Sequence, residues 1–175
     1  MIDPTIHPLA FIADSADIIG NITISEYSSV FYNCVVRGDF QNITIGTDTN
    51  IQDNTVLHVR STLLGTPPGS NPCIVGNNVT ISHSSLIHAC TLHNYSFAGM
   101  KSCIMDFVVM EPYSMVGAGS LVVSNKVIKT SELWVRRPTK FVRMLTEEEK
   151  KFIERSEKSY TSFANMNKKY AKKKQ

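Results

Sequence analysis

Three histidines in the middle of the chain have the residue type and spacing to hold a metal ion. His58 closes Thr55-Val56-Leu57-His58, and His83 and His88 stand in Ile81-Ser82-His83-Ser84-Ser85-Leu86-Ile87-His88. Zinc takes nitrogen, sulfur or oxygen donors at about 2.0–2.3 Å, and a catalytic site keeps one position open for water. Three neutral imidazoles meet that requirement. His58 directly follows Leu57 and His88 directly follows Ile87, whereas His83 comes two places after Ile81 and points differently. On spacing alone, a metal site and three unrelated surface histidines are both open. His7, beside Pro8 in the N-terminal lead-in, is expected to be structural or exposed, and His93 to be a surface corner residue.

The elements that must position these side chains follow from a period of six. Ile18, Ile24, Val30 and Val36 are evenly spaced, the count resumes at Ile45, Ile51 and Leu57, and again at Val75, Ile81 and Ile87. After one five-residue step to Leu92 it continues through Ala98, Ile104, Met110, Val116, Val122, Ile128 and Trp134. A helix cannot hold a period of six on one face, and a simple strand alternates by two. Six fits a short strand plus a turn. Three such units make a triangular coil of about 18 residues, and coils stack at the inter-strand spacing of about 4.8 Å. The expected fold is therefore mainly β, a left-handed parallel β-helix of hexapeptide repeats. Segments such as Gly46-Thr47-Asp48-Thr49-Asn50 and Gly76-Asn77-Asn78 suit its sharp corners. A sandwich of short strands would not keep one phase for so long.

Two places break the phase. Val36 to Ile45 is expected to hold a local insertion at Arg37-Gly38-Asp39-Phe40-Gln41-Asn42, and the Pro- and Gly-rich stretch from Arg60 to Pro72 an excursion from the coil. The repeat ends at Trp134. Thr146 with Glu149 forms a capping box opening a C-terminal α-helix, and Phe152, Ile153, Ser156, Tyr160, Phe163, Asn167 and Tyr170 recur along one face of it. The organisation expected is a β-helix domain over residues 1–140 and, over 141–175, a helix packed on it with a basic tail.

Composition narrows the function classes. The net charge of +3 is too small to argue for nucleic acid, and no apolar run approaches the roughly 20 residues that span a bilayer. Lys168, Lys169, Lys172, Lys173 and Lys174 complement a helix C-terminus. The four cysteines, Cys34, Cys73, Cys90 and Cys103, form no Cys-x-x-Cys pair, which removes zinc-ribbon and thioredoxin-like readings. Met1-Ile2-Asp3-Pro4 does not read as a secretory leader, so reduced thiols in a cytoplasmic location are expected. Cys34, Cys90 and Cys103 fall in repeat segments and are expected to be small core residues.

Several segments are more specific than the repeat itself. Val36-Arg37-Gly38-Asp39, Asn50-Ile51-Gln52-Asp53-Asn54-Thr55-Val56-Leu57-His58, the His83-x4-His88 pair, Val116-Gly117-Ala118-Gly119-Ser120-Leu121-Val122 and Leu145-Thr146-Glu147-Glu148-Glu149 resemble the gamma-class carbonic anhydrases. The resemblance runs from Ile12 to about Tyr170. It implies a homotrimer of left-handed β-helices in which His58 and His88 of one chain and His83 of its neighbour bind a metal at the subunit interface. It further implies that Arg37 and Asp39, with Asp53 nearby, form a salt-bridge network around the site and between chains. Gln52 matches the glutamine that hydrogen-bonds the metal-bound water, and Tyr160 the aromatic residue near the site. The reaction implied is hydration of CO₂ to bicarbonate. Zinc lowers the pKa of a bound water to about 7, and imidazole also accepts iron or cobalt.

The chain departs from the best-known active enzyme of that family at two places. Phe40 stands where that enzyme has a glutamate, and the stretch from Arg60 to Pro72 contains no carboxylate. Proton export is therefore expected to rely on buffer, or the activity to have been lost. Two other readings stay in view: a hexapeptide acyltransferase, whose histidine is a general base rather than a ligand, and a non-catalytic metal-binding scaffold or complex subunit.

Overall fold

The computed structural model describes residues 2–61 and 71–171. Most of the Arg60–Pro72 excursion and the end of the basic tail lie outside the described residues. The chain winds as a parallel β-solenoid of the left-handed hexapeptide type. One wall is an eight-stranded sheet of β2 (Phe11–Ile12), β4 (Ser29–Val30), β6 (Asn50–Ile51), β9 (Thr80–Ile81), β12 (Phe97–Ala98), β15 (Met115–Val116), β18 (Glu132–Val135) and β19 (Lys140–Met144). The other two walls form one folded eleven-stranded sheet. Its strands are β1 (Thr5–Ile6), β3 (Asp17–Ile24), β5 (Val35–Ile45), β7 (Val56–His58), β8 (Cys73–Val75), β10 (Leu86–His88), β11 (Thr91–Leu92), β13 (Cys103–Ile104), β14 (Val109–Met110), β16 (Leu121–Val122) and β17 (Val127–Ile128).

The hexad residues line the core. From Ile24 to Ile128 each is buried, while Ile18 and Trp134 are partly covered at the two ends. Inward residues stack rung on rung, as Val36 on Leu57, Leu57 on Ile87 and Ile87 on Ile104. The residue after each inward aliphatic points outward because strand side chains alternate. That alternation puts His58 and His88 on the outer surface.

Corners turn at the third residue after the inward one, in the left-handed region. Asn33, Asp48, Asn54, Asn78 and Ser84 hold such positions, as the turn-prone composition suggests. Bulky residues do so as well: Tyr95, Lys101, Phe107 and Tyr113 have φ of 58–60°. Outside glycine this region costs about 1–2 kcal/mol, offset here by a repeated backbone bond. The corner N–H donates to the rung below, as Tyr95 to Asn77 at 3.0 Å and Lys101 to His83 at 2.9 Å.

The expected insertion after Arg37 is present, and it is built into a strand: Gly20 pairs with Gly38 but Ile22 with Ile43. β5 runs unbroken from Val35 to Ile45, bends past the corner, and pairs with β7 at its start and β8 at its end. Gly20 makes the bend possible, since at φ +90° a Cβ there would lie 2.4 Å from the Gly38 carbonyl oxygen. Cys34, Cys73 and Cys90 are core thiols, and burial pushes the Cys34 thiol up to about 11. Cys103 is a correction: it sits in the outward position beside inward Ile104 and is only half-buried.

After β18 the chain reverses into β19, an antiparallel strand without hexad signal, and then enters α1 (Glu147–Ala171). The capping box forms: the Glu149 N–H donates to Thr146 Oγ1 at 3.2 Å, and the Thr146 N–H to the Glu149 carboxylate at 2.9 Å. The Arg143 guanidinium, first, and the Thr146 amide hold the Glu149 carboxyl down to about 2. Thr146→Ala should cost about 1 kcal/mol, read as a lower urea midpoint with an unchanged slope. The helix lies on β2, β4, β6 and β9. Its covered line is Ile153, Ser156, Tyr160, Ala164 and Asn167, whereas Phe152 and Phe163 stay half-exposed at its margin. No helix among the described residues is long and apolar enough to cross a membrane.

Candidate metal centre

His58 ends β7 and His88 ends β10, directly opposite each other in register. Their ring centroids are 5.3 Å apart at 56°. Below them, Arg37 is the register partner of His58. The bend of β5 carries Asp39 upward, so that its carboxylate meets both the Arg37 guanidinium and His58 Nε2, the latter at 3.1 Å. Burial lowers the His58 pKa, the Arg37 charge adds to the shift, and Asp39 opposes it. His58 is therefore neutral at neutral pH, the form that ligates metals.

His83 stands elsewhere, at the corner after β9 and against α1. It lies one rung above Asp53, since Ile51 pairs with Ile81 and each residue follows by two. Asp53 Oδ2 is 3.0 Å from His83 Nδ1, and the Tyr160 hydroxyl is 3.4 Å from His83 Nε2. Burial, and then the Asp53 charge, push the Tyr160 phenol up, so it keeps its proton at neutral pH. Gln52 is buried and donates from Nε2 to Asn50 Oδ1 at 3.0 Å. Asn50 is held in turn by Thr80 Oγ1 at 2.9 Å. A cleft of about 350 Å³ opens between α1 and the eight-stranded sheet, lined by Gln52, His83, Phe97, Met100, Phe152 and Tyr160.

The fold thus gathers the sequence-derived residues into two groups. Arg37, Asp39, His58 and His88 share one outer edge, and Gln52, Asp53, His83 and Tyr160 share another. Among the described residues, no set of three metal-binding side chains meets within one chain. The ligand chemistry nonetheless fits. Each histidine has one ring nitrogen on a carboxylate, as ligating histidines do, and a nitrogen that gives its proton to a carboxylate leaves the lone pair on the other.

Sequence reasoning missed Asp106, whose Oδ1 lies 2.5 Å from His88 Nδ1, and Arg60, whose guanidinium is 4.0 Å from the Asp106 carboxylate. A signal existed for the first. Ile87 stacks on Ile104, and Asp106 follows Ile104 by two, the same hexad place that Asp53 holds after Ile51.

No protein-family model matches the chain. The carbonic anhydrase of Geobacillus kaustophilus is 37% identical over 157 residues, covering 90% of this chain and 82% of that protein. The chain belongs to the gamma carbonic anhydrase family. Gamma carbonic anhydrase 2, mitochondrial, of Arabidopsis thaliana is 44% identical over 163 residues, or 93% of this chain. The chain spans 58% of that plant relative's length. Among solved structures, a hexapeptide transferase family protein from Anaplasma phagocytophilum superposes with a TM-score of 0.86 at 44% identity, covering 93% of this chain and 91% of that one. Within this gamma carbonic anhydrase family, the two separated groups are this chain's candidate half-sites.

Proposed function

We propose that the protein hydrates CO₂ to bicarbonate at a metal shared between copies of the chain, with proton export limited by buffer. The observation that carries this reading is the register-matched pair His58 and His88, set apart from a third, carboxylate-bound His83. His58 and His88 of one chain and His83 of the next would hold the ion, zinc being the first choice and iron or cobalt compatible with the same donors. When bound, such an ion lets a water ionise near pH 7.

The chain's own groups supply the rest. Asp39, Asp53 and Asp106 fix the ring orientations, and the Gln52 amide, anchored by Asn50, orients the attacking water. Tyr160 stays protonated and offers a hydrogen bond at the cleft, and Phe97, Met100 and Phe152 give CO₂ an apolar wall. Phe40 cannot carry a proton, which leaves that task to external buffer.

A trimer is part of the proposal. Beside the histidine pair runs an outward stripe of Val35, Val56, Leu86, Cys103 and Leu121 in register, flanked by exposed Ile19 and Val123. A stripe of this kind suits a subunit contact. A reducing compartment such as the cytoplasm fits the four free thiols.

The test is stopped-flow CO₂ hydration by zinc-loaded protein over a range of buffer concentrations, with a metal-stripped control. The rate should rise with buffer and vanish on stripping. No hydration by a trimer that holds its zinc would overturn the enzyme assignment and leave a metal-binding scaffold. The hexapeptide-transferase likeness gives an acyltransferase as the second reading, and saturable coenzyme A binding would favour it.

A further inference from the structure

We propose that Asp106 is a positioning residue that fixes the tautomer of His88, and that Arg60 holds Asp106 in place across a corner shortened for that purpose. The proposal rests on the reading of His88 as a metal ligand.

The argument starts from the single five-residue step in the repeat. Elsewhere the corner residue is the third after the inward aliphatic and sends its side chain outward, as Tyr95, Lys101 and Phe107 do. Between Ile87 and Leu92 one residue is missing, and the left-handed position falls on Ala89, with φ 42°. Ala89 takes its place in the stack, donating from N to the His58 carbonyl at 3.0 Å and accepting from the Phe107 N–H at 2.9 Å. Its methyl group covers far less surface than its neighbours' side chains do. A long side chain from the rung below can then pass over it. Arg60 reaches the far side of that corner, with its guanidinium 5.6 Å from the Phe107 ring centroid and 4.0 Å from the Asp106 carboxylate.

That clamp has a chemical consequence at His88. Asp106 Oδ1 sits 2.5 Å from Nδ1, and a carboxylate accepts but does not donate. Nδ1 must therefore carry the proton, and Nε2 presents the lone pair. The Arg60 guanidinium faces Asp106 Oδ2 at 4.0 Å, which leaves Oδ1 turned to His88. His58 is oriented by a different carboxylate, Asp39, so a change at Asp106 acts on one ring of the pair.

Asp106→Asn is the variant to make, because it keeps size and shape. Arg60 would draw the amide oxygen toward itself and turn the amide nitrogen, a donor, to His88 Nδ1. The proton then moves to Nε2, which blocks the ligating position. The measurement is long-range ¹H–¹⁵N correlation of the histidine rings in metal-free protein near pH 8. Wild type should show His88 protonated on Nδ1, the variant should show it on Nε2, and the His58 pattern should not change. Zinc affinity, by chelator competition, should fall about 10–100-fold in the variant.

His88 protonated on Nε2 in wild type, or one tautomer in both proteins, would overturn the proposal. The wild-type spectrum alone can overturn the proposal even if the variant folds poorly. Failure of wild type to bind zinc would sink the metal reading instead, and the tautomer result would stand apart from it.

Discussion

Two variants that are each inactive should restore activity when mixed. His83→Ala and His58→Ala each remove one ligand from every shared site, so either homotrimer should lose zinc and CO₂ hydration. In a mixed trimer, one interface in three joins an intact His83 to an intact His58. Random mixing in equal amounts makes about three-quarters of the trimers mixed, so about a quarter of the sites return in a closed cyclic assembly. Unfolding and co-refolding the two variants, then measuring zinc content and stopped-flow rate, gives the number. The effect is large because a single copy places His83 at a different corner from the other two, and ring rotation alone cannot unite them. Recovery of nothing, with full mixing verified by mass, would mean that each site is built within one chain. Zinc bound at full affinity by a monomer would lead to the same conclusion.

Ile87→Ala should produce the largest stability loss among conservative core changes near the site. Ile87 is fully buried and stacks between Leu57 and Ile104. Truncating it leaves a cavity lined by aliphatic side chains that their own rungs hold in place, so little collapse can fill it. The expected cost is about 2–5 kcal/mol, read as a drop in the urea midpoint with an unchanged slope. Ile87 also precedes His88, so zinc affinity should fall with it. A cost below about 1 kcal/mol would mean that the stack relaxes freely, contrary to the close packing of protein interiors.

The period of six made the walls legible, because one inward residue per unit has to be apolar and that demand repeats from Val75 through to Ile128. The helix start was equally readable, since Thr146 and Glu149 satisfy each other locally. Other features depended on contacts between distant segments. The phase break from Val36 to Ile45 announced extra residues around Phe40, but their form as a bend in β5 needs Gly20 opposite Gly38, eighteen residues away. β19 carries no hexad signal because its side chains face solvent, and its order comes from pairing with β18. Phe152 and Phe163 lie at the edge of the helix face, against Phe97 and Tyr160, and periodicity cannot tell the centre of a covered stripe from its margin. For the candidate site, residue types gave the histidines, while their carboxylate partners follow from stacking. Asp53 and Asp39 were named through likeness to a family, and Asp106 was reachable only by tracing which rung lies on which.

A coil in a solenoid touches only the coils next to it, so each could open without consulting the rest. The helix changes that. Folding back along β2, β4, β6 and β9, it acts as a splint across successive coils at the N-terminal end, including those that carry Gln52 and His83. Its contacts include Phe31 against Tyr160, Thr80 against Ser156 and Tyr32 against Asn167. Opening any one of those coils strains the same rod, which makes their melting a shared event rather than fraying from the end. The candidate half-site on that wall is thereby tied to residues far later in the chain, and its integrity is a property of the whole molecule.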